Sequence, residues 1–193
     1  MHRAAMAYGC PRLIPLGWLI WRSPSRTETV EAIIGKVEIR SLPAGHVVET
    51  RMKGEQARAV HTGTRRLVRY ASGENVAGAA PGTFLPITQR QTLSGRWLVG
   101  LYLQPTGGGA PAPLSPKITV VARDASWVAT VRVPARSIDA ALRLGGATIL
   151  EAITGSQWLA AGPPTLRLYC GVRWPWSRWE IAVPLTRGET FRA

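Results

Sequence analysis

The chain has 193 residues, and 24 lysines and arginines stand against 11 acids, a net charge of +13. That length accommodates one domain with a real core, and a hydrophobic content of 46% excludes a disordered basic tail. No run reaches the ~18–20 apolar residues that a membrane-spanning helix requires. Only Lys36, Lys53 and Lys117 are lysines, so the basic excess is arginine spread along the chain, and it implies a partner with complementary charge.

Residues 1–29 read as an arm, and 30–193 as a single domain. The arm has no secretory pattern, because Pro11, Arg12, Pro15 and Gly17 interrupt its apolar stretch. Its Arg12, Trp18, Trp21 and Arg22 are expected to lock onto a neighbouring subunit. Val30 to Arg40 alternates as a strand, with a bulge expected at Gly35. Gly45 to Met52 and Thr64 to Tyr70 are shorter strand candidates. Ala71 to Gly95 reads as a long, charge-poor loop. Arg96 to Leu103 is nearly all apolar, as in a strand buried on both faces. Gln104 to Pro116 carries too many glycines and prolines for a ladder.

Beyond Gly95 the period-2 pattern is plain. Lys117 to Arg123, Ser126 to Val133, Thr165 to Val172 and Arg178 to Leu185 each place one apolar set inward. The Arg123–Ser126 junction reads as a tight hairpin. One short helix is expected, capped by Ser137 and stopped at Gly145–Gly146; Ala147 to Thr154 stays ambiguous. No fixed-period repeat is visible. The sum predicts an all-β, antiparallel β-sandwich of jelly-roll type, with a small OB-like barrel as the second architecture.

Chemistry is sparse. Cys10 and Cys170 form no CxxC, and His2, His46 and His61 form no metal spacing. Gly107–Gly109 lacks the lysine and helix of a phosphate loop. No G-x-S-x-G elbow supports a serine nucleophile, and the glutamates read as solvated surface charge. No enzyme, metal or cofactor is expected. Two basic clusters are the candidate contact residues: Arg65, Arg66 and Arg69, read as strand positions, and Arg173, Trp174, Trp176 and Arg178, where guanidinium and indole faces alternate. These features predict a self-assembling structural subunit of a virion, with a basic surface turned to nucleic acid and a virion or cytoplasmic location. A single-stranded nucleic-acid-binding module and a ligand-binding or enzymatic β scaffold are the alternatives.

Overall fold

The computed structural model describes residues 28–105, 108–135, 137–169 and 178–188. The expected arm, Arg12, Trp18, Trp21 and Arg22 included, lies outside these residues, as do Arg173, Trp174 and Trp176. Among the described residues ten strands and two helices follow one another. They are β1 (Thr29–Ile34), β2 (Val37–Leu42), β3 (Gly45–Met52), α1 (Gln56–Ala71), β4 (Thr83–Gln91), β5 (Trp97–Leu103), β6 (Ile118–Arg123), β7 (Ser126–Pro134), α2 (Ile138–Ile153), β8 (Trp158–Ala160), β9 (Thr165–Leu168) and β10 (Arg178–Arg187).

The mainly β, antiparallel character expected from the alternation is present. The strands form one sheet rather than two facing ones, in the order β1-β2-β7-β10-β9-β4-β5-β3-β6, with β8 added to β10. Inside it lies a structural duplication that the residue pattern hides. β3-α1-β4-β5 and β7-α2-β9-β10 have the same local order, with β4 and β9 paired at the junction.

Short connections force this sheet to roll. Leu42 and Gly45 are three residues apart, so their Cα atoms lie at most about 11 Å from each other. Yet β2 and β3 are six strand steps apart along the sheet, roughly 29 Å if it were flat. Asp124 and Ala125 impose the same closure between β6 and β7, again six steps apart. The Arg123–Ser126 junction is therefore no hydrogen-bonded hairpin: β6 pairs with β3, and β7 with β2 and β10.

Both helices cover the same face of the sheet. Leu67, Val68 and Tyr70 of α1 pack with Val48, Ile87, Val99 and Leu101. Ala141, Ile149 and Ile153 of α2 pack with Ile39, Val131, Leu166, Ile181 and Val183. The opposite face is concave and lines the interior of the roll.

Four expectations are corrected. Thr64–Tyr70 is the last half of α1, not a strand; its buried positions Ala59, Gly63, Leu67, Val68 and Ala71 follow helical spacing. The stretch expected to be a loop from Ala71 to Gly95 contains β4, whose threonines and glutamines pair with β5 and β9. Gly35 is not a bulge but lies in the two-residue turn of the β1–β2 hairpin, at φ +60°, while the register shift falls between Val30 and Ala32. Gly145–Gly146 do not end α2. They let it approach the sheet: a Cβ on Gly145 would lie 2.6 Å from Cβ of Ile181, and one on Gly146 3.0 Å from Cγ of Pro164. Ser137 does cap the helix, accepting from the Ala140 amide at 3.2 Å.

Gly145→Ala tests that close approach. Helix propensity alone would favour alanine by up to about 1 kcal/mol, but overpacking costs about 1–3 kcal/mol. Denaturant unfolding should therefore show a net loss of stability; a gain would mean that α2 sits farther from β10.

Candidate functional site

Register sets the chemistry of the concave face. Across the sheet, Arg132, Glu180, Arg167, Thr88, Gly100 and Glu49 fall in one row, one from each successive strand. Glu180 and Arg167 belong to a buried charge network, Arg132 reaches Glu180 at 3.5 Å from an exposed position, and Thr88, Gly100 and Glu49 line a pocket.

The network joins Glu28, Arg40, Arg167, Glu180 and Tyr169. Arg167 and Glu180 are each only 4% exposed. Arg167 is ion-paired to Glu28 and reaches Glu180 at 3.3 Å. Arg40 donates to Glu28 at 3.0 Å and to Glu38 at 2.7 Å, with Glu180 at 3.5 Å. The Tyr169 hydroxyl donates to Glu180 at 2.8 Å. Two buried guanidinium groups thus face two buried carboxylates. Burial disfavours the charge on Arg40, but Glu180, Glu38 and Glu28 outweigh it and hold its pKa above the usual arginine value. Arg167 behaves alike: burial opposes its charge, and Tyr169, Glu28 and Glu180 prevail. Tyr169 is pushed well above the ordinary phenol range, by burial first and then by the nearby carboxylates, against the pull of Arg167. One flaw remains, since Nη1 of Arg167 is buried without a well-aligned hydrogen-bond acceptor.

Beside the network lies a pocket of about 380 Å³, which is within the usual ligand-site range of ~300–1,000 Å³. Leu42, Val47, Leu98, Val128, Pro163 and Pro184 supply apolar wall, and Thr88, Arg90, Tyr102 and Ser126 supply polar groups. Rolling brings the walls together, because Val128 and Pro184 come from one half of the duplication, Leu42 from β2 beside it, and Val47 and Tyr102 from the other half. Gly100 keeps the floor low: a Cβ there would meet Oγ1 of Thr88 at 2.6 Å. At the rim, Arg123 donates to Glu49 at 3.0 Å.

The residues singled out from sequence lie elsewhere. Arg65 and Arg69 are exposed on α1, on the far side of the sheet, and Arg69 is paired to Glu74 at 2.6 Å. Arg66 turns inward and donates to Oγ1 of Thr50 at 2.8 Å. Arg178 opens β10 beside Pro134, away from the pocket-lining residues. Glu28 and Glu180, expected as solvated surface charge, are buried partners.

A family profile described as SOUL heme-binding protein matches residues 27–161. The chain belongs to the SOUL heme-binding family.

Among solved structures it is similar to the C-terminal domain of EcmrR, at 14% identity and a TM-score of 0.51, covering 78% of this chain and 97% of that one. EcmrR in a DNA complex gives 12% identity and 0.50, covering 78% and 57%. A hydrolase from Listeria innocua gives 8% identity and 0.51, covering 86% and 95%. At these identities the likeness shows the fold alone. The comparison with curated proteins gives no match. Membership of the SOUL family overturns the expected virion subunit and its nucleic-acid-facing surface, and favours the ligand-binding scaffold that was the alternative.

The family name implies haem, and the pocket can be tested for it. Among the described residues its lining includes no histidine, cysteine or methionine, and Tyr102 is the one side chain of an iron-ligating type. His61 is exposed on α1, and His46 does not line the pocket. The donor set of the described residues does not fit a haem iron held by His, Cys or Met. The apolar walls and guanidinium groups suit an amphipathic molecule instead.

Two predictions follow from the network. Arg167→Met leaves Glu28 and Glu180 buried without their main counter-charge and should cost about 3–5 kcal/mol in urea unfolding; a loss below 1 kcal/mol would mean that the network is solvated. Because the folded chain holds the Tyr169 proton more tightly than the unfolded chain, its contribution is fully present below the unfolded value of about 10 and is lost as pH rises above it. Stability should fall above about pH 10, and Tyr169→Phe should flatten that fall. Tyr70, also raised by burial, accounts for the remaining slope.

Proposed function

We propose that this SOUL-family chain is a non-catalytic binding protein that holds a small amphipathic ligand in the concave pocket between its two structural repeats. The observation that carries the reading is the pocket itself. Apolar walls from both repeats enclose a low glycine floor, and a few polar groups converge on it, the usual make-up of a small-molecule site. The adjoining charge network supports it by filling the neighbouring part of the same face with paired groups, which leaves the pocket as the part free to receive a ligand. Family membership supports ligand binding as the role, while the lack of His, Cys and Met among the described lining residues argues against recognition through protein-bound iron.

Ser126 gives a clean test, being exposed and at the edge of the pocket. Titrations with hemin and with iron-free protoporphyrin, followed by absorbance and by tryptophan quenching, should give similar affinities for both. Ser126→Trp should weaken both at least about tenfold without moving the melting temperature. A large preference for hemin, or binding unaffected by Ser126→Trp, would contradict the reading.

A further inference from the structure

We infer that the pocket selects ligands bearing an anionic head group on an apolar body, with Arg90 as the anchoring cation; this rests on the pocket being the binding site. Charge pairing on the concave face carries the argument. Glu49 on the floor row is already neutralised by Arg123 at 3.0 Å. Glu28 and Glu180 are engaged by Arg40 and Arg167. Arg90 differs from these. It lines the pocket half-buried, and among the described residues no ion pair or hydrogen bond engages its guanidinium.

Register adds a second cation. Leu98 pairs with Arg90 on one side and with Arg51 on the other, so both arginines stand in one row on the concave face, two strands apart. Two strand steps correspond to roughly 10 Å. Among the described residues Arg51 is likewise without a carboxylate partner in ion-pair reach. One edge of the pocket is therefore formed by the uncompensated Arg90 guanidinium beside Leu98, and Arg51, exposed and outside the pocket lining, stands one strand farther along the same row. That edge attracts an anion and repels a cation. A partly buried guanidinium also offers the planar fork of donors that suits a carboxylate or sulfonate.

The general charge of +13 would attract anions anywhere on the surface, so the test must separate the pocket from the bulk. Binding is measured by fluorescence with 1-anilinonaphthalene-8-sulfonate and its uncharged analogue N-phenyl-1-naphthylamine, at low and at moderate salt. The sulfonate should bind more tightly than the neutral analogue, and salt should narrow the gap. Arg90→Gln should weaken the sulfonate roughly 10- to 100-fold and affect the neutral probe far less. Arg51→Gln should have a smaller effect in the same direction, and Arg65→Gln, on the helix-covered side, none. Equal affinity for the two probes, or a loss from Arg65→Gln as large as that from Arg90→Gln, would overturn the inference while leaving the pocket as a binding site. If neither probe binds, the pocket reading and this inference fall together.

Discussion

Two connections of two residues each govern this molecule. Pro43–Ala44 joins β2 to β3, and Asp124–Ala125 joins β6 to β7, although the joined strands stand six positions apart in the sheet. Chain length forbids a flat solution. The sheet rolls, and the rolled sheet has two unlike faces. The convex one takes both helices and two apolar clusters. The concave one receives every side chain that points away from them, and those side chains, confined together, must pair with each other or with something that enters.

The concave face solves that problem in two ways. In one part, burial is matched by charge: two guanidinium groups meet two carboxylates, and a tyrosine hydroxyl completes the set. A buried network of this kind is weak evidence for net stability, because desolvation offsets much of the attraction, but it is costly to break. In the neighbouring part the match is incomplete. Leucine, valine and proline walls face each other across a glycine floor, with Arg90 unpaired among the described residues. Across the concave face the chain thus passes from a charge network satisfied at all but Nη1 of Arg167 to a pocket whose Arg90 has no partner among the described residues.

Much of the convex face was legible in the sequence. β3, β7 and β10 alternate with one apolar set, and Trp179 lies inward as that pattern requires, packing on the α2 cluster and donating to the Ala135 carbonyl at 3.1 Å. α1 was hidden because small residues, Ala59, Gly63 and Thr64, occupy much of its buried stripe, and its last half, Thr64 to Tyr70, also alternates like a short strand. The longer reach of α2 was hidden because two glycines in sequence mimic a stop, when their role is contact with Ile181 and Pro164. The site was illegible for a different reason. Arg167 and Glu180 occupy outward strand positions, which usually meet water; only the register, and the rolling that the two short connections impose, turns outward into interior. The signal available was the pair of short linkers themselves, which look like hairpins until the pairing of each strand is known.

The most direct test of ligand binding on the concave face is amide chemical-shift mapping during titration with an uncharged naphthyl ligand, which avoids any contribution from net charge. The account predicts shifts clustered at Thr88, Leu98, Gly100, Val128 and Gly162, spanning both repeats. Shifts confined to the outer surfaces of α1 and α2, or none at saturating ligand, would contradict it.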